Sequence, residues 1–305
     1  MTDPALRTIG LTKRFGSVEA LRDLDLEIAP GEVFGYLGPN GAGKTTTIRL
    51  VLGMLRPSAG RAAIFGLDAH RSTVAAHRRV AYVPGEASLW PSLTGGETLH
   101  LLGRLHGRVD EAYRRELIGR FGLDASKKVR TYSRGNRQKV LLIAALMTRA
   151  DLLVMDEPTS GLDPLMEQVF RRCVVEARGR GQAILLSSHI LSEVEAVCDR
   201  VGILRAGRLV DTGTLEQLRH LSTLTVEASF AGPAPDVSAV SGVTAARTDG
   251  HVLRCQVHGS VEPLLHALAT HGAHRLLSRE PTLEELFLAH YGSAPASEPT
   301  VVHAG

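Results

Sequence analysis

Only 3 of the 305 residues are cysteine, and Cys173, Cys198 and Cys255 stand too far apart to form a C-x-x-C pair. Such spacing offers neither a disulfide framework nor a zinc site, so the three read as reduced thiols of a cytosolic protein. Long apolar runs are also missing. The longest, residues 140–147, has 8 members, against the roughly 18 that a membrane-crossing helix needs, so any membrane role has to pass through a partner. The opening MTDPALRTIG lacks the basic-then-apolar order of a secretory signal. Charge of one sign is scarce too: 35 basic against 32 acidic side chains leave +3, which argues against a dedicated nucleic-acid binder. Lysine itself is rare, 5 against 30 arginines, which reads as the codon bias of a GC-rich genome rather than as a function. At 305 residues there is room for one full core and a smaller appended unit.

What is present concentrates in residues 31–55, GEVFGYLGPNGAGKTTTIRLVLGML. Val33–Leu37 reads as a short apolar strand, residues 38–43 as a glycine-rich turn, and Ile48, Val51, Leu52 and Leu55 recur at helical spacing. Gly38, Gly43, Lys44 and Thr45 satisfy G-x-x-x-x-G-K-S/T between that strand and helix, which is a P-loop. Chance would supply about 0.007 such matches in a chain of this composition, before the flanking elements are required. The predicted nucleotide cradle is Gly38, Pro39, Asn40, Gly41, Ala42, Gly43, Lys44, Thr45 and Thr46. Its glycines let successive N–H groups converge on phosphate, Lys44 neutralises the terminal phosphates, and the Thr45 hydroxyl ligates Mg²⁺.

A second apolar run, residues 152–155, ends in Asp156 and Glu157. Two carboxylates at the carboxyl end of a buried strand are costly unless something cationic or reactive sits beside them. Asp156 suits Mg²⁺ and Glu157 suits the general base that polarises an attacking water. Between these motifs lies YSRGNRQKV, where Ser133 and Gly135 stand at the mouth of a predicted helix. Outward N–H groups at such a mouth are built to receive an anion.

In order along the chain, GPNGAGKTT, YSRGN, LLVMDEP, SGLDP and the histidine of LLSSHI resemble the ATP-binding cassette of ABC transporters, over roughly residues 5 to 220. GPNGAGKTTT together with SRGNRQK resembles the ATPase subunits of drug and antibiotic exporters, whose membrane halves are separate chains. The resemblance implies an α/β fold: a P-loop NTPase core at 1–220 with antiparallel β and an inserted α-helical subdomain at about 87–148. A small α+β accessory domain at 221–291 and a disordered tail at 292–305 would follow. It implies ATP as substrate with Mg²⁺, catalysis by Glu157 and His189, and adenine stacked on Phe15. It further implies a homodimer in the ATP-bound state, in which Ser133, Gly135, Asn136 and Asp163 act on the nucleotide held by the other subunit. The remaining implications are a separate transmembrane permease, a place on the cytoplasmic side of a bacterial membrane, and no nucleic acid.

Two positions depart from the family pattern. Gly85 stands where a glutamine normally touches Mg²⁺ and water, and Asn136 replaces the commoner glutamine of the signature. Glu86 can be read either as a replacement metal ligand or as a solvated loop charge. Trp90, in LWPSLT, is either an exposed anchor for the membrane partner or a core residue. Thr98, Leu101, Leu102 and Leu105 form the predicted inner face of a helix. Further on, a hairpin turns at Ala206 and Gly207 and a short helix runs to His220. Residues 223–230 and Val252–Val257 read as half-buried strands, residues 261–271 as a helix, and Thr282 with Glu285 as a capping box for 283–291. A soluble cassette ATPase outside transport, and a weakly hydrolysing regulatory module, are the alternatives. The short gap between P-loop and signature and the single cassette count against the first. The stretch of about 85 residues after the cassette is a poor match to the longer regulatory barrel of importers.

Overall fold

The computed structural model describes residues 3–86, 88–220 and 224–279. The capping box at Thr282 and Glu285, the helix at 283–291 and the tail at 292–305 lie outside the described residues. The chain divides into two compact units, Met1–Thr214 and Leu215–Gly305.

The first unit opens with β1 (Leu6–Phe15), β2 (Val18–Ile28), β3 (Val33–Leu37), α1 (Lys44–Val51), β4 (Ala59–Ile64), β5 (Leu67–Asp68), α2 (Thr73–His77) and β6 (Val80–Val83). A helical stretch follows: α3 (Gly95–His106), α4 (Glu111–Arg120) and α5 (Arg134–Leu146). The chain then alternates through β7 (Leu152–Asp156), α6 (Pro164–Gly179), β8 (Ala183–Ser188), α7 (Leu191–Glu195), β9 (Arg200–Arg205) and β10 (Arg208–Thr214).

Every residue of β3, β7 and β8 is buried, as expected of parallel strands covered on both faces. These strands form the centre of a six-stranded sheet in the order β10-β9-β3-β8-β7-β6. Register matters more than order for the site. Leu37 pairs with Ser188 and Asp156 with Ser187, so the P-loop, the two carboxylates and His189 all leave the sheet at one edge. A second, antiparallel sheet runs β2-β1-β4-β5. Helix α1 packs against β1, β2 and β4 of this sheet and β7 of the other, and Leu6, Ile28, Tyr36, Ile48, Leu50 and Val154 belong to the shared core.

The inserted stretch is helical apart from a single bridge between Thr94 and Lys128. Helix α3 starts in a capping box, in which Thr94 Oγ1 accepts from the Glu97 N–H and Glu97 accepts from the Thr94 N–H. Its buried stripe is Gly95, Thr98, Leu99 and Gly103. The predicted face of Thr98, Leu101, Leu102 and Leu105 is therefore rotated from the real one, and Leu105 is 71% exposed. The cause is Gly103, where an added Cβ would lie 2.5 Å from Val109 Cγ2: contact through a glycine draws a different face inward than leucine spacing suggests.

Gly35, in the middle of β3, has no room for a side chain. A Cβ there would lie 2.3 Å from Val194 Cγ1 and 3.0 Å from Cys198 Sγ. Gly35→Ala is expected to destabilise the fold by about 1–3 kcal/mol, the usual cost of overpacking. Urea unfolding followed by circular dichroism measures this, and an unchanged midpoint contradicts it.

The hairpin β9–β10 turns through Ala206 (φ 45) and Gly207 (φ 75), the left-handed pair that a two-residue turn requires. The second unit comprises α8 (Leu215–His220), β11 (Leu224–Phe230), β12 (Val243–Asp249), β13 (Val252–Val257), α9 (Glu262–Thr270) and β14 (Ala273–Arg279). Its antiparallel sheet has the order β12-β13-β11-β14, and its core includes Val226, Phe230, Leu253, Val257, Leu264 and Leu268. The cysteines are free, with Cys173 and Cys255 buried and Cys198 half-buried.

Candidate active site

Helix α1 begins one residue after Gly43, whose φ of 112° and a would-be Cβ only 2.8 Å from the Ala20 carbonyl leave glycine as the residue that fits. The N–H groups of its first turn have no acceptor within the helix. The Lys44 ammonium is 5% exposed and arches back over the loop: Nζ donates to the carbonyls of Gly38 (2.6 Å) and Pro39 (3.3 Å). It also lies 3.5 Å from Glu157 Oε1. Thr46 is half-buried beside it, while Asn40, Gly41 and Thr45 face solvent.

The neighbouring strand ends complete the cluster. Thr45 Oγ1 donates to Asp156 Oδ2 (2.9 Å), and Ser187 Oγ donates to Asp156 Oδ1 (2.5 Å). Asp156 is only 4% exposed, so both carboxylate oxygens need such partners. Glu157 takes a left-handed backbone (φ 47), which swings its side chain away from that of Asp156. Its Oε1 lies 3.1 Å from His189 Nδ1. Burial, with the Asp156 charge adding to it, pushes the Tyr82 phenol beside this cluster up to about 12, so it stays neutral at physiological pH.

His189 is held by its neighbours. Ser188 Oγ donates to Glu193 Oε2 (2.9 Å) and accepts from the Ile190 N–H (2.9 Å), bracing both sides of the turn. His189 itself is half exposed.

The mouth of α5 makes a separate group. Ser133 is its N-cap and accepts from the Asn136 N–H (3.2 Å). Arg134 donates to Ser160 Oγ (2.6 Å), and Gln138 donates to the Pro158 carbonyl (2.9 Å). A Cβ on Gly135 would lie 2.5 Å from the Gly161 carbonyl. The helix tip is thus seated on the loop that follows Glu157. Among the described residues no hydrogen bond joins Ser133, Gly135 or Asn136 to the P-loop of the same chain. Asp163 caps α6 by accepting from the Met166 N–H (3.0 Å).

The remaining candidates are peripheral. Phe15 ends β1 with 49% of its surface exposed and Lys13 Nζ 4.9 Å from its ring centre. A Cβ on Gly85 would lie 3.3 Å from the Asp156 carbonyl and 3.8 Å from Oδ2, so Gly85 borders the carboxylate. Glu86 is exposed, and its side chain makes no hydrogen bond or ion pair with the described residues. Trp90 is 45% exposed.

The profile of the family described as ABC transporter matches residues 21–160. The daunorubicin resistance ATP-binding protein DrrA3 of Streptomyces coeruleorubidus is 38% identical over 304 residues, covering 94% of this chain and 96% of that protein. The chain belongs to the ABC transporter family. A second relative of this cassette, the linearmycin resistance ATP-binding protein LnrL of Bacillus subtilis, is 32% identical over 301 residues, or 93% of this chain and 97% of that one. A solved ATP-binding subunit of an ABC transporter superposes with a TM-score of 0.66 at 32% identity, covering 70% of this chain and 92% of the other. The cassette is an ATP-binding transporter subunit that hydrolyses ATP.

Sequence reasoning passed over one residue of the cassette's site. Ser187, two positions before His189, is fully buried and bonds both acidic residues. Two consecutive serines inside an otherwise apolar strand, LLSS, were the available signal, because buried hydroxyls need partners.

Proposed function

We propose that this ATPase drives export of a drug or antibiotic through separate transmembrane subunits, acting as a head-to-tail homodimer in its ATP-bound state. The reading rests on one observation: Lys44, Thr45, Asp156, Glu157 and His189 meet at one sheet edge, with Lys44 and His189 both within 3.5 Å of Glu157. In it, residues 38–46 cradle the phosphates and Phe15 offers an exposed aromatic face to adenine. Glu157 accepts the proton of the attacking water, and His189 orients that water and the γ-phosphate.

The donor set beside the P-loop fits Mg²⁺. A hydroxyl and a carboxylate oxygen 2.9 Å apart suit a hard cation that keeps several waters. Thr45 and Asp156 would hold it, and when bound it supplies charge neutralisation at the terminal phosphates. Gly85 borders Asp156 without offering a ligand of its own, and exposed Glu86 is the nearest acidic side chain in sequence.

Among the described residues the tip of α5 makes no hydrogen bond to the P-loop of its own chain, and the N–H groups of a helix start favour an anion. In the dimer, Ser133, Gly135 and Asn136, with Asp163 at the interface, complete the other subunit's site, adding a second charged wall around the transferring phosphoryl group. Export is supported by the two relatives named for resistance to daunorubicin and linearmycin, because the likeness runs through the second unit as well. No helix among the described residues is long and apolar enough to cross a membrane. In this reading the transport path belongs to another chain, on whose cytoplasmic side this one docks. Half-exposed Trp90 is the proposed anchor there, and the second unit is an accessory to that assembly.

Co-expression with a candidate transmembrane subunit tests the export reading. The two are expected to co-purify and to lower drug accumulation in cells, and Lys44→Ala is expected to abolish the effect. Co-purification with drug uptake, or no association, would overturn it.

A further inference from the structure

The structure assigns to Ser187 the role of positioning residue for both acidic groups, setting the orientation of Asp156 and the backbone of Glu157 together. The inference rests on the metal and base roles proposed above and adds the group that fixes them relative to each other.

Ser187 lies in β8, which pairs in parallel with β7 so that Ser187 stands opposite Asp156. It is fully buried. Its hydroxyl has one proton and spends it on Asp156 Oδ1 at 2.5 Å, the short charge-assisted kind of bond. The same oxygen accepts from the Glu157 N–H at 3.2 Å, which also reaches the Ser187 carbonyl at 3.1 Å. One hydroxyl therefore touches two consecutive residues with different tasks.

For Asp156 the bond decides which oxygen is offered. Oδ1 is occupied by Ser187, and Oδ2 is turned to Thr45, the side on which the metal would sit. Without the hydroxyl, a carboxylate that is 4% exposed keeps one side-chain donor and is free to rotate. For Glu157 the bond helps hold a non-glycine residue at φ 47, a conformation that persists only where its surroundings impose it. That backbone sends the Glu157 carboxylate toward Lys44 and His189 while Asp156 stays at Thr45. Ser188, next in the strand and facing the other way, braces the His189 turn through Glu193, so the two serines divide the work.

The test separates the hydroxyl from the bulk around it. Ser187→Thr and Ser187→Val give side chains of the same branched shape that differ by a hydroxyl in place of a methyl; Ser187→Ala removes the hydroxyl without adding bulk. Loss of a ligand-orienting partner of this kind typically costs about 10–100-fold in metal affinity or activity. Ala and Val are expected to raise the Mg²⁺ concentration for half-maximal ATP-driven dimer formation by that factor and to lower kcat. They should leave the KM for ATP within about twofold, since the P-loop contacts do not involve Ser187. Thr is expected to stay near wild type on all three. Binding of Mn²⁺ with ATP, followed by electron paramagnetic resonance, reads metal affinity without turnover.

If Ala keeps the wild-type Mg²⁺ dependence and kcat, or if Thr and Val are both active, the hydroxyl is not the cause and the proposal falls; if Thr and Val are both impaired by added bulk, Ala decides. Asp156→Asn separates that failure from failure of its foundation. Should Asp156→Asn leave the Mg²⁺ and Mn²⁺ dependence unchanged, the metal role itself is wrong. Should it raise that dependence while Ala behaves as wild type, the assignment to Ser187 alone is wrong.

Discussion

Glu157→Gln is expected to lower ATP turnover by about 10²–10⁴-fold, the range attributed to a positioned general base, while ATP binding survives. The amide is nearly the size of the carboxylate but cannot accept the proton of an attacking water. Nothing else at the site needs to move. The Glu157 N–H keeps its bonds to Ser187, and Lys44, which loses a carboxylate 3.5 Å away, keeps the Gly38 carbonyl at 2.6 Å. With closure intact and hydrolysis blocked, the variant should accumulate as an ATP-bound dimer, visible by size-exclusion chromatography and absent with ADP. Phosphate release at the wild-type rate would refute the assignment of the base. A slow wild-type rate unchanged by the substitution would support the regulatory-module alternative.

The second large effect is expected from pairing two inactive chains. Lys44→Ala removes the cation of the P-loop, and Ser133→Phe blocks the tip of α5; each alone should lose at least about 100-fold in hydrolysis, the scale of a lost transition-state donor. Mixed in equal amounts, the two chains should regain activity. If each site is built from one P-loop and the opposite tip, a mixed dimer has one site with both parts damaged and one with both intact. Random pairing then restores about a quarter of the wild-type rate, because half of the two-fold dimers are mixed. Loss of the Ser133 cap also costs the helix about 1 kcal/mol, but simple destabilisation cannot be repaired by a partner. Absence of any recovery in verified mixed dimers would sink the shared-site reading.

Much of the cassette was legible because its chemistry restricts its residues. The bounds of Val33–Leu37 could be read directly, since a strand buried on both faces is a continuous apolar run that stops where the chain must turn. The P-loop was legible for a related reason: Gly43 at φ 112 tolerates few alternatives. Where the pattern depended on distant pairing, legibility ended. The edge strands β12 and β14 did not emerge because their residues are mostly exposed, which erases the alternation that marked β11 and β13. The inner face of α3 was misread because Gly103, rather than Leu105, makes the close contact. Ser187 meets Asp156 across 31 positions of sequence, and no local spacing announces such a bond.

The seat of α5 carries a kinetic consequence. Gly135 leaves no slack against the Gly161 carbonyl, and Arg134 and Gln138 are bonded to Ser160 and to the Pro158 carbonyl, so movement of the loop behind the base carries the helix tip with it. In the proposed head-to-tail pair, that tip grips the twin's triphosphate. Cleavage in one half would then change the hold on the nucleotide in the other.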